Sequence, residues 1–278
     1  MKLAWIAMLG LASAPALAAA PAARVLVFCS PGSPGTTAEA QPTMDAFAAA
    51  LGAKAGVSPI AAVYHEAEDA GVARLREKDA AVAFVSLPFY LKHEQELGLR
   101  ARLQPVQSGR EPAERWALVA KKGKVTSPAA LGGFTISSTA GYAPAFVRGP
   151  GVGEWGPLPA TVRVVQSGAI LSALRRAAAG ENLAVLLEPA QAAALSSLPF
   201  AADLEVVTRS APLPQGVVAT VGERLPAKSW SAIDSALRSL RSDPKGAAAL
   251  DGMEIARFGA VDEKGLSVAR KAYADAAR

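Results

Sequence analysis

The chain of 278 residues has one cysteine, Cys29, and two histidines, His65 and His93. One cysteine excludes an intramolecular disulfide framework and a multi-cysteine zinc site, and two histidines leave little material for a histidine-based metal centre. A Walker A loop, a G-x-S-x-G nucleophile elbow and an H-E-x-x-H helix are all missing, so phosphate-loop, hydrolase-elbow and zincin chemistry have no carrier. With 24 glycines and 20 prolines the chain is not low-complexity, and with 51% hydrophobic residues it is not disordered. Past the N-terminus no stretch is long and apolar enough to span a bilayer. What is present is enough apolar material for a sizeable core in one large domain or two small ones.

The N-terminus reads as an export address. Lys2 supplies a short positive region, Leu3 to Ala12 is an apolar run, and Ala16-Leu17-Ala18 is a small-x-small cleavage pattern. The run is about half the length of a membrane-spanning helix. Residues 1–20 are therefore expected to be a signal peptide cut after about residue 18 or 20. No cysteine stands at the cleavage point to take a lipid, so a free, periplasmic protein is expected.

Apolar runs of strand length alternate with helical patterns. Arg24 to Cys29, Ile60 to Tyr64 and Ala80 to Val85 read as strands, with Met44, Phe47 and Leu51, then Val72 and Leu75, at helical spacing between them. Nearly continuous apolar strands in β-α-β-α-β order predict a parallel sheet covered on both faces. Arg102 to Gln107 and Arg115 to Lys121 lead out of this unit. A second alternation runs through Phe134 to Ser137, Thr161 to Gln166, a helix with Ile170, Leu171, Leu174 and Ala178 on one face, and Leu183 to Leu187. Leu204 to Arg209 and Gly216 to Val221 are extended, and Trp230, Ile233, Leu237 and Leu240 mark a helix with Ser229 as its expected N-cap. The densest basic group, Lys121-Lys122-Gly123-Lys124, has no interleaved aromatics and reads as a solvated turn, so no nucleic-acid partner is expected.

Catalytic material is thin. Cys29 ends the first strand and His65 follows the second, which leaves a Cys-His enzyme as a remote alternative to a buried thiol. Glu66, Glu68 and Asp69 open a helix, where carboxylates complement the dipole. A different pattern recurs: small hydroxyl residues directly after apolar strands. Ser30 to Ser33, Ser86 to Tyr90 and Ser137 to Tyr142 all stand there. In open α/β sheets ligands sit beyond the carboxyl ends of strands, where helix starts offer free N–H groups and hydroxyls add neutral donors.

Taken in order, several segments resemble the phosphate/phosphite/phosphonate substrate-binding proteins of ABC transporters. Arg115 to Phe134 is similar to that family's crossing strand, basic turn and short helix, and Ser137 to Tyr142 to its Ser/Thr-Gly loop. Gln166 to Glu188, Ser210 to Pro214 and Leu225 to Ala260 follow at matching places. The resemblance implies an α/β, two-lobed type II periplasmic-binding-protein fold with a ligand cleft between the lobes. It puts residues 21–112 and 210–278 in one lobe and 113–209 in the other.

It further implies a non-enzymatic monomer without cofactor or metal that captures a small oxyanion, phosphonate- or phosphate-like, and delivers it to a membrane ABC-transporter permease. By position, Ser33, Tyr64, Ser86 and Tyr90 would line the cleft from the first lobe and Ser137, Ser138, Thr139 and Tyr142 from the second. Glu188 falls where an acidic partner for a ligand amine would stand. Departures from the pattern are Ala140 before Gly141, the apolar Leu87-Pro88-Phe89 rim, and the lack of an arginine placed to clamp a phosphonate. These leave open an alternative in which the same fold carries or senses an apolar, sterol-like lipid or another ligand.

Overall fold

The computed structural model describes residues 24–33 and 35–278. The expected signal peptide, residues 1–20, lies outside the described residues. Strand β1 (Arg24–Cys29) pairs in parallel with β2 (Ile60–His65) on one side and β3 (Ala80–Ser86) on the other. Helices α1 (Thr37–Ala55) and α2 (Glu68–Arg76) make the crossovers. α1 starts at a capping box in which Thr36 and Glu39 satisfy each other's end of the first turn. It buries Met44, Phe47 and Leu51 on the sheet, with Phe47 edge-on to both Phe28 and Phe84. α2 lies so close to β1 that a Cβ on Gly71 would stand 2.2 Å from the Cys29 sulfur, which leaves glycine as the residue that fits.

Short helix α3 (Leu87–His93) leads to β4 (Leu99–Gln107), and β5 (Ala113–Glu114) then crosses to a second sheet. That sheet is built from β6 (Ala117–Lys121), β7 (Thr135–Ser138), β8 (Arg163–Gln166), β9 (Leu183–Leu187) and β10 (Leu204–Arg209). Helices α4 (Pro144–Arg148), α5 (Ile170–Ala178) and α6 (Pro189–Ala194) fill its connections. β11 (Leu213–Pro214) crosses back beside β5. β12 (Gly216–Val221), α7 (Ala227–Ser239), α8 (Pro244–Gly252), β13 (Ile255–Ala260) and α9 (Glu263–Ala276) end the chain.

The first sheet has the order β13-β4-β12-β3-β1-β2 and the second β10-β6-β9-β7-β8. Each joins a parallel trio to antiparallel strands: β2, β1 and β3 in the first, β8, β7 and β9 in the second. One apolar cluster spans both sheets, with Val27, Cys29 and Phe89 from one side and Trp116, Phe146 and Leu186 from the other. A second cluster lies under α1, α7 and α8, and a third under α5. α9 does not cover the first sheet alone: it rests on α4, where a Cβ on Gly149 would meet the Ala272 carbonyl at 2.3 Å.

Three local expectations are corrected. α7 begins at Ala227 with Pro226 at its N-cap, so Ser229 sits inside the first turn. Leu171 is 51% exposed, because the buried face of α5 is Ile170, Ala173, Leu174, Ala177 and Ala178, and Leu171 is turned about 100° from Ile170. The lysine turn is more than a solvated turn: Lys121 Nζ donates to the Ala178 carbonyl at 2.9 Å and Lys124 Nζ to the Gly180 carbonyl at 2.5 Å. Both ammonium groups thereby satisfy carbonyls at the C-terminal end of α5, where the helix dipole favours a cation.

Candidate functional site

A cavity of about 650 Å³ opens between the two sheets. The parallel strands β1 and β3 bring Phe28, Phe84 and Ser86 to it at their carboxyl ends, and β2 brings Tyr64. Phe28 and Phe84 stack with ring centroids 4.2 Å apart. Pro105, Met253 and Ile255 continue this apolar wall along β4 and β13. Ala140, Tyr142, Glu188 and Pro189 close it from the second sheet. Between them, the crossing segments supply Arg110, Glu114, Trp116, Leu213 and Gln215.

Ser33, Tyr64, Ser86, Tyr142 and Glu188 line this cavity. Ser86 Oγ and Tyr142 Oη lie 3.0 Å apart and share a hydrogen bond that joins the end of β3 to the second sheet's loop. Burial holds the Tyr142 phenol far above its ordinary range, with the Ser86 contact opposing, so it acts as a neutral hydroxyl. Lys92 Nζ donates to the Tyr142 carbonyl at 2.6 Å and fixes the same loop from α3. Tyr64 Oη is buried without a hydrogen-bond partner among the described residues, and burial raises its pKa.

The other sequence candidates lie elsewhere. Tyr90 is fully buried, and its hydroxyl accepts from Arg270 Nη2 at 2.7 Å. Ser137 faces a smaller, polar cavity of about 420 Å³ beside α5. Ser138 Oγ donates to the Leu186 carbonyl at 2.9 Å and accepts from Ala140 N at 3.2 Å, which closes the turn after β7. Thr139 Oγ1 donates to Glu188. The hydroxyls of Tyr90, Ser138 and Thr139 are thus spent within the protein. The apolar rim also shrinks to Pro88, since Leu87 and Phe89 are fully buried in the shared core.

Glu188 caps α6, accepting from the Gln191 backbone as well as from Thr139. Burial pushes its carboxyl above the usual carboxylate range, against the Thr139 hydrogen bond and the more distant charge of Arg110. Arg110 lines the cavity with its Nη1 3.6 Å from Glu114 Oε2, so its guanidinium is paired there and is not placed to clamp a phosphonate. Sequence reading missed Arg110, Glu114 and Gln215 because they lie on the crossings, where neither strand nor helix periodicity marks a direction.

The Cys29 and His65 positions are register partners on neighbouring strands, yet the thiol is fully buried and points to the Ala67 carbonyl at 3.7 Å. Burial, with Glu68, Asp69 and Glu66 nearby, pushes the thiol up to about 12, so it is not a thiolate at neutral pH. His65 Nε2 is buried without a partner and its pKa is lowered by burial. Glu66 accepts from Thr37 N at 2.9 Å, and Glu68 accepts from His93 Nε2 at 2.6 Å. These acids tie α1, α2 and α3 together, away from the cavity. Among the described residues no group of three or more His, Cys, Asp and Glu is placed to hold a metal ion, and no helix is long and apolar enough to cross a membrane.

No protein-family model matches the chain, and no curated protein matches its sequence. Solved structures do match. XAC2383 from Xanthomonas citri bound to chloride ion superposes with a TM-score of 0.70 at 18% identity, over 91% of this chain and 98% of that one. The fold is the two-lobed type II periplasmic-binding-protein fold. The binding-protein component of an ABC phosphonate transporter from Pseudomonas aeruginosa shares it at a TM-score of 0.63 and 15% identity, over 92% and 87% of the two chains. PhnD1 from Prochlorococcus marinus in complex with methylphosphonate gives 0.56 at 15% identity, over 89% and 98%. At these identities the likeness carries the fold and no further. In this fold the 650 Å³ cavity is the cleft between the lobes, and the β5 and β11 ribbon is the crossing between them.

Proposed function

We propose that this protein is an extracytoplasmic solute-binding protein: it captures one small molecule in the interlobe cleft and delivers it to a membrane ABC-transporter permease. The observation that carries this reading is a cavity of about 650 Å³ walled by both sheets, a volume suited to a small organic ligand. In this reading residues 21–112 and 210–278 form one lobe and 113–209 the other, the chain is exported to the periplasm after loss of residues 1–20, and it acts as a monomer. Closure is a hinge motion about the β5 and β11 crossing. A binder rather than an enzyme fits a cleft in which Cys29 and His65 take no part.

Support for an oxyanion ligand comes from Ser33, Tyr64, Ser86 and Arg110 in the cleft wall. Against it stand the internal use of Ser138 and Thr139 and the pairing of Arg110 with Glu114. Phe28, Phe84, Met44 and Met253 favour a ligand with an apolar body.

The test is native mass spectrometry on residues 21–278, expressed with the export signal and purified gently, followed by melting-shift screening of released cargo. A stoichiometric small-molecule adduct that closes the lobes in solution scattering is expected. A ligand at a hundred times its dissociation constant adds about 2.7 kcal/mol of stability. Turnover of the cargo, or loss of binding on alkylation of native Cys29, would overturn the reading.

A further inference from the structure

The charge of the cleft is opposite to the charge of the chain. The sequence carries 29 Lys and Arg against 24 Asp and Glu, a formal net charge of +5. Yet the charged residues lining the cleft are Glu39, Glu114, Glu188 and Glu254 against Arg110 alone. Glu39 is committed locally in the capping box of α1, and Glu254 stands exposed at the rim. Glu114 and Glu188 remain on opposite walls, one on the crossing and one on the second lobe.

Hydrogen-bond capacity points the same way. A carboxylate only accepts, so Gln215 must present its amide NH₂ to Glu114, and this fixes the orientation of the amide. Gln215 Oε1 is then a buried acceptor with no partner among the described residues. Glu188 accepts from Thr139 and from the Gln191 backbone, and no cation pairs with it directly. An unpaired acceptor and a desolvated carboxylate in one cavity are both costly until a donor arrives. A fully ionised ligand oxyanion would add negative charge beside Glu114 and Glu188 and offer no donor to Gln215. A protonated nitrogen supplies both the missing donor and the missing charge, and the stacked Phe28 and Phe84 with Met44 and Met253 accept a hydrocarbon or aromatic body.

We infer that the solute is an organic cation, a protonated amine, amidine or guanidine on an apolar body, received by Glu188, Glu114 and Gln215 Oε1. This rests on the cleft being the ligand site, as proposed above.

The experiment compares probes of one shape and opposite charge on the wild-type mature chain: benzamidinium and benzoate, with methylphosphonate as a compact oxyanion, read by calorimetry. Benzamidinium is expected to bind roughly tenfold or more tighter than either anion, and Glu188→Gln to lose that preference by a similar factor. Tighter binding of benzoate or methylphosphonate would overturn the cation and leave the solute-binding reading standing. If none of the probes binds, the cargo released from the purified protein decides: a cargo without a basic nitrogen overturns the cation, and one with it upholds it. A protein that retains no cargo and binds no probe overturns both. Because the comparison of probes uses the unaltered protein, it does not depend on the variant folding.

Discussion

The loops after β3 and after β7 are built from the same kind of residue at the same kind of place, and they do different work. At the end of β3, Ser86 leaves its hydroxyl at the cleft wall and reaches across to Tyr142. After β7, Ser138 and Thr139 turn inward, to the Leu186 carbonyl and to Glu188. The second loop is also pinned by close backbone approach: a Cβ on Gly141 would meet the Val165 carbonyl oxygen at 2.2 Å and Gln166 N at 2.3 Å. Its partner across the cleft is Gly32, at φ +84°, where a Cβ would stand 2.9 Å from the Thr139 carbonyl oxygen. The second loop is in this sense an anvil, packed against backbone on both sides.

The sharpest way to break that contrast is Gly141→Ala. Its Cβ collides with backbone that cannot step aside, so a loss of about 3 kcal/mol is expected in urea unfolding, at the upper end of overpacking costs. Wild-type stability in that variant would show that the β7 loop is not pinned. A smaller effect follows from Ser138→Ala, which strands a buried carbonyl and a buried N–H: about 2 kcal/mol by the same measurement. Ser86→Ala, by contrast, removes one half-buried link and should cost about 1 kcal/mol. Equal losses for the two serines would erase the distinction.

The third test sharpens the electrostatics of the anvil. Glu188 has a folded pKa raised by burial, so its proton stabilises the fold. That contribution is complete below the ordinary carboxylate range and is lost as pH rises through the raised folded value. The uncharged Thr139 and the more distant Arg110 are the groups that act on it. Melting temperature followed against pH should therefore decline across that window in the ligand-free protein. Glu188→Gln should flatten the decline, and an unchanged slope would show that Glu188 titrates normally.

Much of the fold was legible because its signals are local. The strand Arg24–Cys29 and the buried helix positions Met44, Phe47 and Leu51 follow from apolar runs and spacing alone. Gly180, at φ +98°, ends α5 as a glycine after a helix commonly does. Parallel order in each trio follows from the helical crossovers between strands. The site was legible in part. Ser33, Tyr64, Ser86, Tyr142 and Glu188, which the family resemblance places by position, do line the cavity. Tyr90 and the Ser137 to Thr139 group were not separable from them, since a hydroxyl at a strand end reads alike whether it faces a ligand or a carbonyl.

By itself, then, the amino-acid sequence determined the elements, the two α/β units and the burial of Cys29, because apolar periodicity and strand length act over a few residues. Only the tertiary structure decided which side chains meet. Arg110, Glu114 and Gln215 converge with Glu188 from separate stretches of chain. Glu114 turns the Gln215 amide, and Thr139 takes up Glu188. The cleft's surplus of acceptors in a basic chain is a property of that convergence, since charge and hydrogen-bond balance in a cavity depend on distances that no local pattern encodes.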